Sequence, residues 1–315
     1  MTVNKPSMRH VENTIVVVML CVAGCRPSAP AVYVPTPAER QWEAVHSKER
    51  QGDVETAKAE YARLCRASVP YVRACFDQVR LMFESGSIRD ARDAGISVVR
   101  QYPDEALAPK TVKQLSRSYA KRGELDVGME MLSAMSDELE GHDVWDTLVF
   151  ECAVLARLSK RSREEQQALE RIVAKSDRFG SQLWDDVVWR LSRIERERGA
   201  VRKEEQWLVR LIEAHQSSWL IGSYTSPHYD DALMRLGTLY LDGDNPKKAL
   251  ETFRALAQNR TSRKQNLGRL GMAKTLLRMG KRGAGCQMLE RFMDGEKREK
   301  RLNEARELKQ SAQCQ

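Results

Sequence analysis

From Ala38 onward, apolar residues recur three and four positions apart, and short polar turns break the pattern at regular intervals. Six of these turns carry glycine: Gln51-Gly52-Asp53, Ser85-Gly86-Ser87, Arg122-Gly123-Glu124, Arg198-Gly199-Ala200, Asp242-Gly243-Asp244 and Met279-Gly280-Lys281. The glycines stand 34, 37, 76, 44 and 37 residues apart. The longest interval is two units, with Ser159-Lys160-Arg161 as a middle turn lacking glycine. A period in the thirties with two helical stretches per turn predicts an all-α helical solenoid. About seven units fit between residues 38 and 294, the fourth degenerate for want of its glycine. A loop is expected over 217–227, before the sixth unit. A charged last helix, Gly295 to Gln313, is expected to cap the array over residues 295–315, because a terminal repeat needs a polar outer face.

Within the units, Leu236-Gly237-x2-Tyr240 is followed by Ala249-x3-Phe253, with Leu233 one turn earlier. Ala57-x3-Tyr61 follows the first turn, Tyr119 precedes the third, and Pro103 closes the second unit. These positions resemble the tetratricopeptide repeat (TPR) pattern. The resemblance implies a right-handed α-solenoid in which small residues let paired helices approach, aromatics fill the space between units and proline ends the second helix. Tyr102-Pro103 with Ala106 to Leu115, and Ser226-Pro227 leading to Ala232, look like the unit junctions of envelope TPR proteins. The TPR lipoprotein of the β-barrel assembly machinery and the Tol-Pal coordinator protein belong to that group.

The N-terminal pattern differs. Ile15 to Ala23 is apolar, far short of the roughly 20 residues a membrane-spanning helix requires. A polar leader with Lys5, Arg9 and Glu12 precedes it, which is the layout of a secretory signal. Val22-Ala23-Gly24-Cys25 resembles the lipobox of bacterial lipoproteins; Cys21 does not fit, because bulky Leu20 precedes it. The resemblance implies a signal peptide over 1–24 and diacylglycerol on Cys25, the first mature residue. Several buried acyl chains, at about 0.8 kcal/mol per CH₂, make a lasting membrane anchor. Arg26, where Asp would favour the inner membrane, points to the outer membrane and a periplasm-facing protein. The alternative is an apolar strand with an incidental cysteine. Residues 25–37 carry four prolines and form a stiff tether.

Composition agrees with helix: charged residues make up 30% of the chain and aromatics 6%. Charge is uneven. Arg260 to Gln315 holds 15 Lys/Arg against 6 Asp/Glu, a net +9, while the whole chain carries +8. Such a basic end suits anionic headgroups, an acidic partner or nucleic acid; export argues against nucleic acid. A solvated helix surface is the plainer account.

No motif groups a nucleophile, base or metal set. His10, His46, His142, His215 and His228 form no H-E-x-x-H spacing, and lone His46 is expected to be solvated. Gly280-Lys-Arg-Gly-Ala-Gly285 departs from the phosphate-binding pattern and reads as a repeat turn. Asp185-Asp186 and Asp230-Asp231 fall at helix starts, where they complement the macrodipole. No cofactor, metal or catalysis is expected. In an oxidising compartment, Cys65 and Cys75, equally far from Pro70 at a turn between antiparallel helices, form a candidate disulfide. Cys286 with Cys314 is the less symmetric and less favoured pair. Cys152 reads as a buried apolar position, and all five also suit a helical core as small hydrophobes.

In TPR proteins the first helix of each unit lines a groove. Aligning units two and three by their turns places Arg73, Phe76, Arg80, Phe83, Lys110, Lys113, Arg117 and Lys121 toward it. That resembles a cationic peptide groove suited to acidic or carboxylate-ended peptides, without the asparagines of the full carboxylate clamp; an ordinary charged surface is the alternative. The expectation is a lipid-anchored scaffold for protein partners in envelope assembly. The alternatives are an accessory subunit of a secretion or polysaccharide-export machine and a peptidoglycan- or lipid-associated structural protein.

Overall fold

The computed structural model describes residues 35–175, 181–214, 226–259 and 262–314; Cys25, its lipobox and most of the predicted 217–227 loop lie outside them. Fifteen helices and no strands occur among the described residues. Contacts divide the chain into two compact units, one ending at Tyr71 and the other beginning at Val72.

The first unit holds α1 (Pro37–Arg50) and α2 (Val54–Cys65). Helix α1 starts inside the predicted tether. The Thr36 hydroxyl accepts from the Glu39 amide at 3.2 Å, Glu39 accepts from the Thr36 amide at 2.6 Å, and Pro37 occupies the first turn. This reciprocal cap satisfies two otherwise orphaned N–H groups. Val45, Ala57, Tyr61 and Leu64 are buried between the two helices. His46 stacks on Trp42 with centroids 5.0 Å apart and lies 3.3 Å from the Tyr61 hydroxyl, which donates to Glu49 at 3.0 Å. It is therefore partnered while its side chain stays 36% exposed, because α2 brings Tyr61 against α1.

The second unit runs through α3 (Val72–Glu84), α4 (Ile88–Gln101), α5 (Ala108–Arg122), α6 (Leu125–Glu138), α7 (Trp145–Leu158), α8 (Ser162–Lys175), α9 (Trp184–Glu197), α10 (Val201–Glu213), α11 (Tyr229–Asp242), α12 (Pro246–Gln258), α13 (Gln265–Arg278), α14 (Arg282–Gly295) and α15 (Glu299–Ser311). Each helix packs on its successor. First helices of neighbouring pairs also touch, as α3 with α5, α5 with α7 and α11 with α13. That is the contact pattern of a repeat array.

The turn inside each pair needs one left-handed residue. Gly86, Gly123, Gly199 and Gly280 supply it at φ of +87°, +74°, +70° and +72°. In the degenerate pair α7/α8, Lys160 takes the position at φ +58°. In α11/α12 it falls to Asp244 at φ +56°, while Gly243 keeps a φ of −82°; the sequence pattern had assigned that turn to the glycine.

The small residues work as close-approach points. A Cβ on Gly237 of α11 would lie 2.6 Å from the Phe253 ring, and one on Gly271 of α13 would lie 2.4 Å from the same ring. Phe253 of α12 is therefore inserted between two first helices. Gly268 lets α13 approach backbone: its Cβ would stand 2.7 Å from Ala257 N. The fourth residue of every second helix is buried. It is Ala57, Ala91, Gly128, Ala249 or Gly285 in five pairs, but Glu165 in α8 and Glu204 in α10.

A continuous core centred on Trp145, Leu169, Val188, Leu191, Leu208 and Leu236 joins α7 to α11. At the end of the array, Leu270, Ala273, Leu289, Phe292 and Ala305 pack α13 and α14 under α15. Cys286 and Cys314 are bonded, with Cα atoms 5.6 Å apart. This corrects the expectation that they were the less favoured pair: α14 and α15 fold back so that sequence asymmetry is immaterial. Cys65 and Cys75 are both in the disulfide-bonded state. Cys152 is a free thiol, half-buried rather than wholly buried, and burial pushes its pKa up.

Candidate functional site

Four first helices, α5, α7, α9 and α11, meet the loop before the next pair through a carboxylate at or just before their N-terminus. Asp104, just before α5, accepts from the Asp143 amide at 2.9 Å and lies 2.9 Å from His142 Nδ1. Asp146 of α7 is bonded to Ser181, Asp186 of α9 to His228 at 2.7 Å, and Asp230 of α11 to Asn259 at 3.0 Å and to Ser262. The expected acidic pairs do stand at helix starts. They also bind the loop of the following unit, a role beyond complementing the macrodipole. Bonding to the Asp143 amide and to His142 holds the Asp104 carboxyl below its ordinary range. His228 does the same for Asp186.

Two of these contacts frame a cleft of about 1080 Å³. Its lining is rich in carboxylates, with Asp104, Glu105, Glu140, Asp143 and Asp146 against Lys113 of α5 and Lys175 of α8. Trp145 forms part of the wall, and Lys175 Nζ lies 4.8 Å from the centre of its ring. The cleft is thus not the uniformly basic groove expected from alignment. The loops that enter it bring carboxylates that aligned first helices alone do not reveal.

The eight groove residues separate into two groups. Phe76 is 3% exposed and belongs to the core of α3, so it is not presented to a ligand. Arg80 is engaged along its own helix by Asp77 at 3.3 Å and Glu84 at 3.1 Å. Arg73 is exposed and Phe83 half-buried. On α5 the picture differs. Lys110, Lys113, Arg117 and Lys121 share one helical face, all but Lys113 are exposed, and none forms an ion pair among the described residues.

Beside that face runs α7. Thr147 lines the cleft together with Lys113. Phe150, Val154 and Leu158 continue up α7 at four-residue intervals, from half-buried to 51% exposed at Leu158. Glu151 lies between the two helices. Burial raises its pKa, opposed by a hydrogen bond with Ser116 and by the charges of Lys113 and Arg117. On α9, Trp189 stacks on His228 with centroids 5.4 Å apart. The surface offered by α5 and α7 is therefore a cationic row flanked by a partly exposed apolar row. It can hold a chain carrying carboxylates next to apolar side chains.

The sequence reading missed the buried carboxylates. Glu165 receives Arg190 Nε at 2.6 Å and Nη2 at 2.9 Å. Glu204 receives Arg235 Nε at 2.6 Å and Nη2 at 2.8 Å, and Arg196 Nε at 2.7 Å. Both glutamates occupy the small-residue position of their helix. Arg190 and Arg235 are each the seventh residue of the next first helix. Aligning all seven pairs by that position would have exposed the substitution.

The chain has a TPR-type repeat fold. The helix pairs, their left-handed turns and the small-residue contacts carry that statement. No family model matches the sequence, and no curated protein matches it. Among solved structures, a tetratricopeptide repeat protein from Parabacteroides merdae ATCC 43184 is similar at 12% identity over 85% of this chain and 96% of its own, with a TM-score of 0.40. PilW, a type IV pilus biogenesis factor, is similar at 12% identity over 77% and 100%, with a TM-score of 0.41. The MamA AMB-1 structure is similar at 13% identity over 63% and 98%, with a TM-score of 0.41.

Proposed function

We propose that this TPR-type array is a protein-interaction scaffold that holds an acidic segment of a partner along α5 and α7. The observation that carries the proposal is the row Lys110, Lys113, Arg117 and Lys121, without ion pairs among the described residues, beside the partly exposed Phe150, Val154 and Leu158. Glu151 offsets only part of the charge of Lys113 and Arg117, so the row keeps a net repulsion that an acidic ligand relieves as it binds. The apolar row supplies the contact area that charge alone does not. The proposal requires no catalysis.

The lipobox at Cys25 and the disulfide-bonded state of Cys65, Cys75, Cys286 and Cys314 support a place in the oxidising envelope, tethered by lipid and facing the periplasm. Among the described residues no helix is long and apolar enough to cross a membrane, so the proposed anchor is the acylated cysteine. The partners are accordingly envelope proteins, with assembly of the envelope as the process served.

Crosslinking in intact cells, followed by detergent pull-down, tests the reading. Wild-type protein is expected to retain a defined partner, and Lys113→Glu with Arg117→Glu to weaken the purified complex at least about tenfold at low salt, since each charge-assisted bond contributes about 1.5–3 kcal/mol. Equal retention by the reversed variant overturns the groove. In the same strains, acyl labelling of Cys25→Ala equal to wild type overturns the anchor.

A further inference from the structure

We infer that one edge of the array, formed by the turns inside the pairs α5/α6, α7/α8 and α9/α10, lies on an anionic lipid bilayer, with aliphatic tips among the headgroups and lysines and arginines on the phosphates. Four large hydrophobics are exposed among the described residues, and three stand at these turns: Val127 at 57%, Leu158 at 51% and Val201 at 53%. Bonds between neighbouring turns make them one surface. Arg161 Nη2 meets Asp126 at 2.8 Å, and Arg198 Nη2 donates to Ser162 Oγ at 3.2 Å.

Charge separates this edge from the opposite one. Residues 121–127, 157–164 and 196–203 hold ten Lys/Arg against four Asp/Glu. All four carboxylates are engaged within the protein: Glu124 by Arg92 and Arg122, Asp126 and Glu164 by Arg161, Glu197 by Arg190. Lys121, Lys160, Arg163, Arg202 and Lys203 are exposed and form no ion pair among the described residues. At the other ends of these helices, residues 102–107 and 139–146 hold five carboxylates and neither lysine nor arginine. Stability does not explain the cations: Arg163, Arg202 and Lys203 fall in the first turns of α8 and α10, where positive charge opposes the macrodipole. A bilayer takes both parts of the edge at once, because apolar tips enter below the headgroups while long cationic side chains reach back to the phosphates. A hydrophilic polyanion takes the charge but leaves three aliphatic tips in water. The edge lies across helix ends and does not rest on the proposed groove; Lys121 and Leu158 are the corner that the two share, and both stay unaltered in the test.

The test follows amide exchange in the full chain mixed with vesicles of phosphatidylcholine alone, or of phosphatidylcholine with phosphatidylglycerol. The N-terminal segment is the same in both, so the difference reads the folded array. Anionic vesicles are expected to protect residues 121–127, 158–163 and 199–203 and to leave 102–107 and 139–146 exchanging as in buffer. Each cation near an anionic surface strengthens binding by about fivefold. Arg163→Glu, Arg202→Glu and Lys203→Glu together are therefore expected to weaken it at least about a hundredfold. That variant is expected to fold, since Glu suits the first turn of a helix, and unchanged exchange in α7–α11 without vesicles checks it. Val127→Ser with Val201→Ser is expected to weaken binding about tenfold. Full affinity in the charge-reversed variant, equal protection at both edges, or equal protection by neutral vesicles overturns the inference. Polyglutamate that protects the three turns as tightly as anionic vesicles assigns them to an acidic polymer and also overturns it. Full affinity in the double serine variant overturns the seating of the tips.

Discussion

Removing the Glu204 carboxylate tests how the middle of the array is held together. Glu204 is 1% exposed, and three N–H groups reach it from two arginines. Breaking a buried ion pair costs about 3–5 kcal/mol, because the remaining charge is stranded. Here the stranded groups are partly wet: the Arg235 and Arg196 side chains are 26% and 37% exposed. The cost of Glu204→Ala therefore falls to the low end, about 3 kcal/mol. The chain contains its own apolar alternative, since Ala249 and Gly271 occupy the matching positions in the α12–α13 contact. Glu204→Ala with Arg235→Met is accordingly expected to recover most of the loss, ending about 1 kcal/mol below wild type for the bond that Arg196 gives up. Urea unfolding at pH 7 measures both variants. Amide exchange across α10 and α11 shows where stability is lost, because repeat arrays need not unfold in one step. A single-variant loss under about 1 kcal/mol, or a double variant as unstable as the single, refutes the argument. The pH dependence has a definite sign. Burial raises the Glu204 pKa, but hydrogen bonds from Arg235 and Arg196 outweigh it, leaving the group below its ordinary value. Its contribution is complete above the unfolded carboxyl value of about 4.3 and is lost as pH falls through the lower folded value. The gap between wild type and Glu204→Gln should therefore close in acid.

Gly268→Ala places a methyl 2.7 Å from Ala257 N and must push α13 off α12. Overpacking of about 1–3 kcal/mol exceeds the alanine helix preference of about 1 kcal/mol, so a lower Tm is expected. Gly283→Ala, with nothing within 4 Å of its Cβ, should raise Tm instead. If both variants raise Tm, helix preference and not packing governs these positions; a fall in Gly283→Ala contradicts the helix-preference argument. Cys314→Ser opens a bond between residues 28 apart in sequence. The chain-entropy relation puts its contribution at about 3.5 kcal/mol, and amide protection should fall in α15 while α7–α11 keep theirs. Unchanged protection in α15 shows that the packing around Ala305 suffices without the bond.

The helix pairs were legible because their determinants are local. A turn needs one left-handed residue, a helix needs its apolar residues three and four apart, and both signals repeat along the chain. The failures follow from the same physics. Lys160 and Asp244 adopt left-handed turns although neither is glycine, because the helices they join impose that geometry. Phe76 and Lys113 could both be assigned to a groove from helical spacing; only packing buries one and brings the other to a cleft. Half of the proposed site, the cationic face of α5, was visible in sequence. The carboxylates that line the cleft were not, since they come from segments about forty residues apart, before α5 and at the start of α7.

The sequence by itself determined the unit, a pair of amphipathic helices about a tight turn, because each depends on residues within a few turns of chain. Only tertiary structure decided which charges meet. The Glu204–Arg235 and Glu165–Arg190 pairs and the Cys286–Cys314 bond all depend on how one helix registers against another. Such a register is set by packing between helices, as where Gly237 and Gly271 admit Phe253 and Gly268 admits the Ala257 backbone of α12, a contact that no single helix contains.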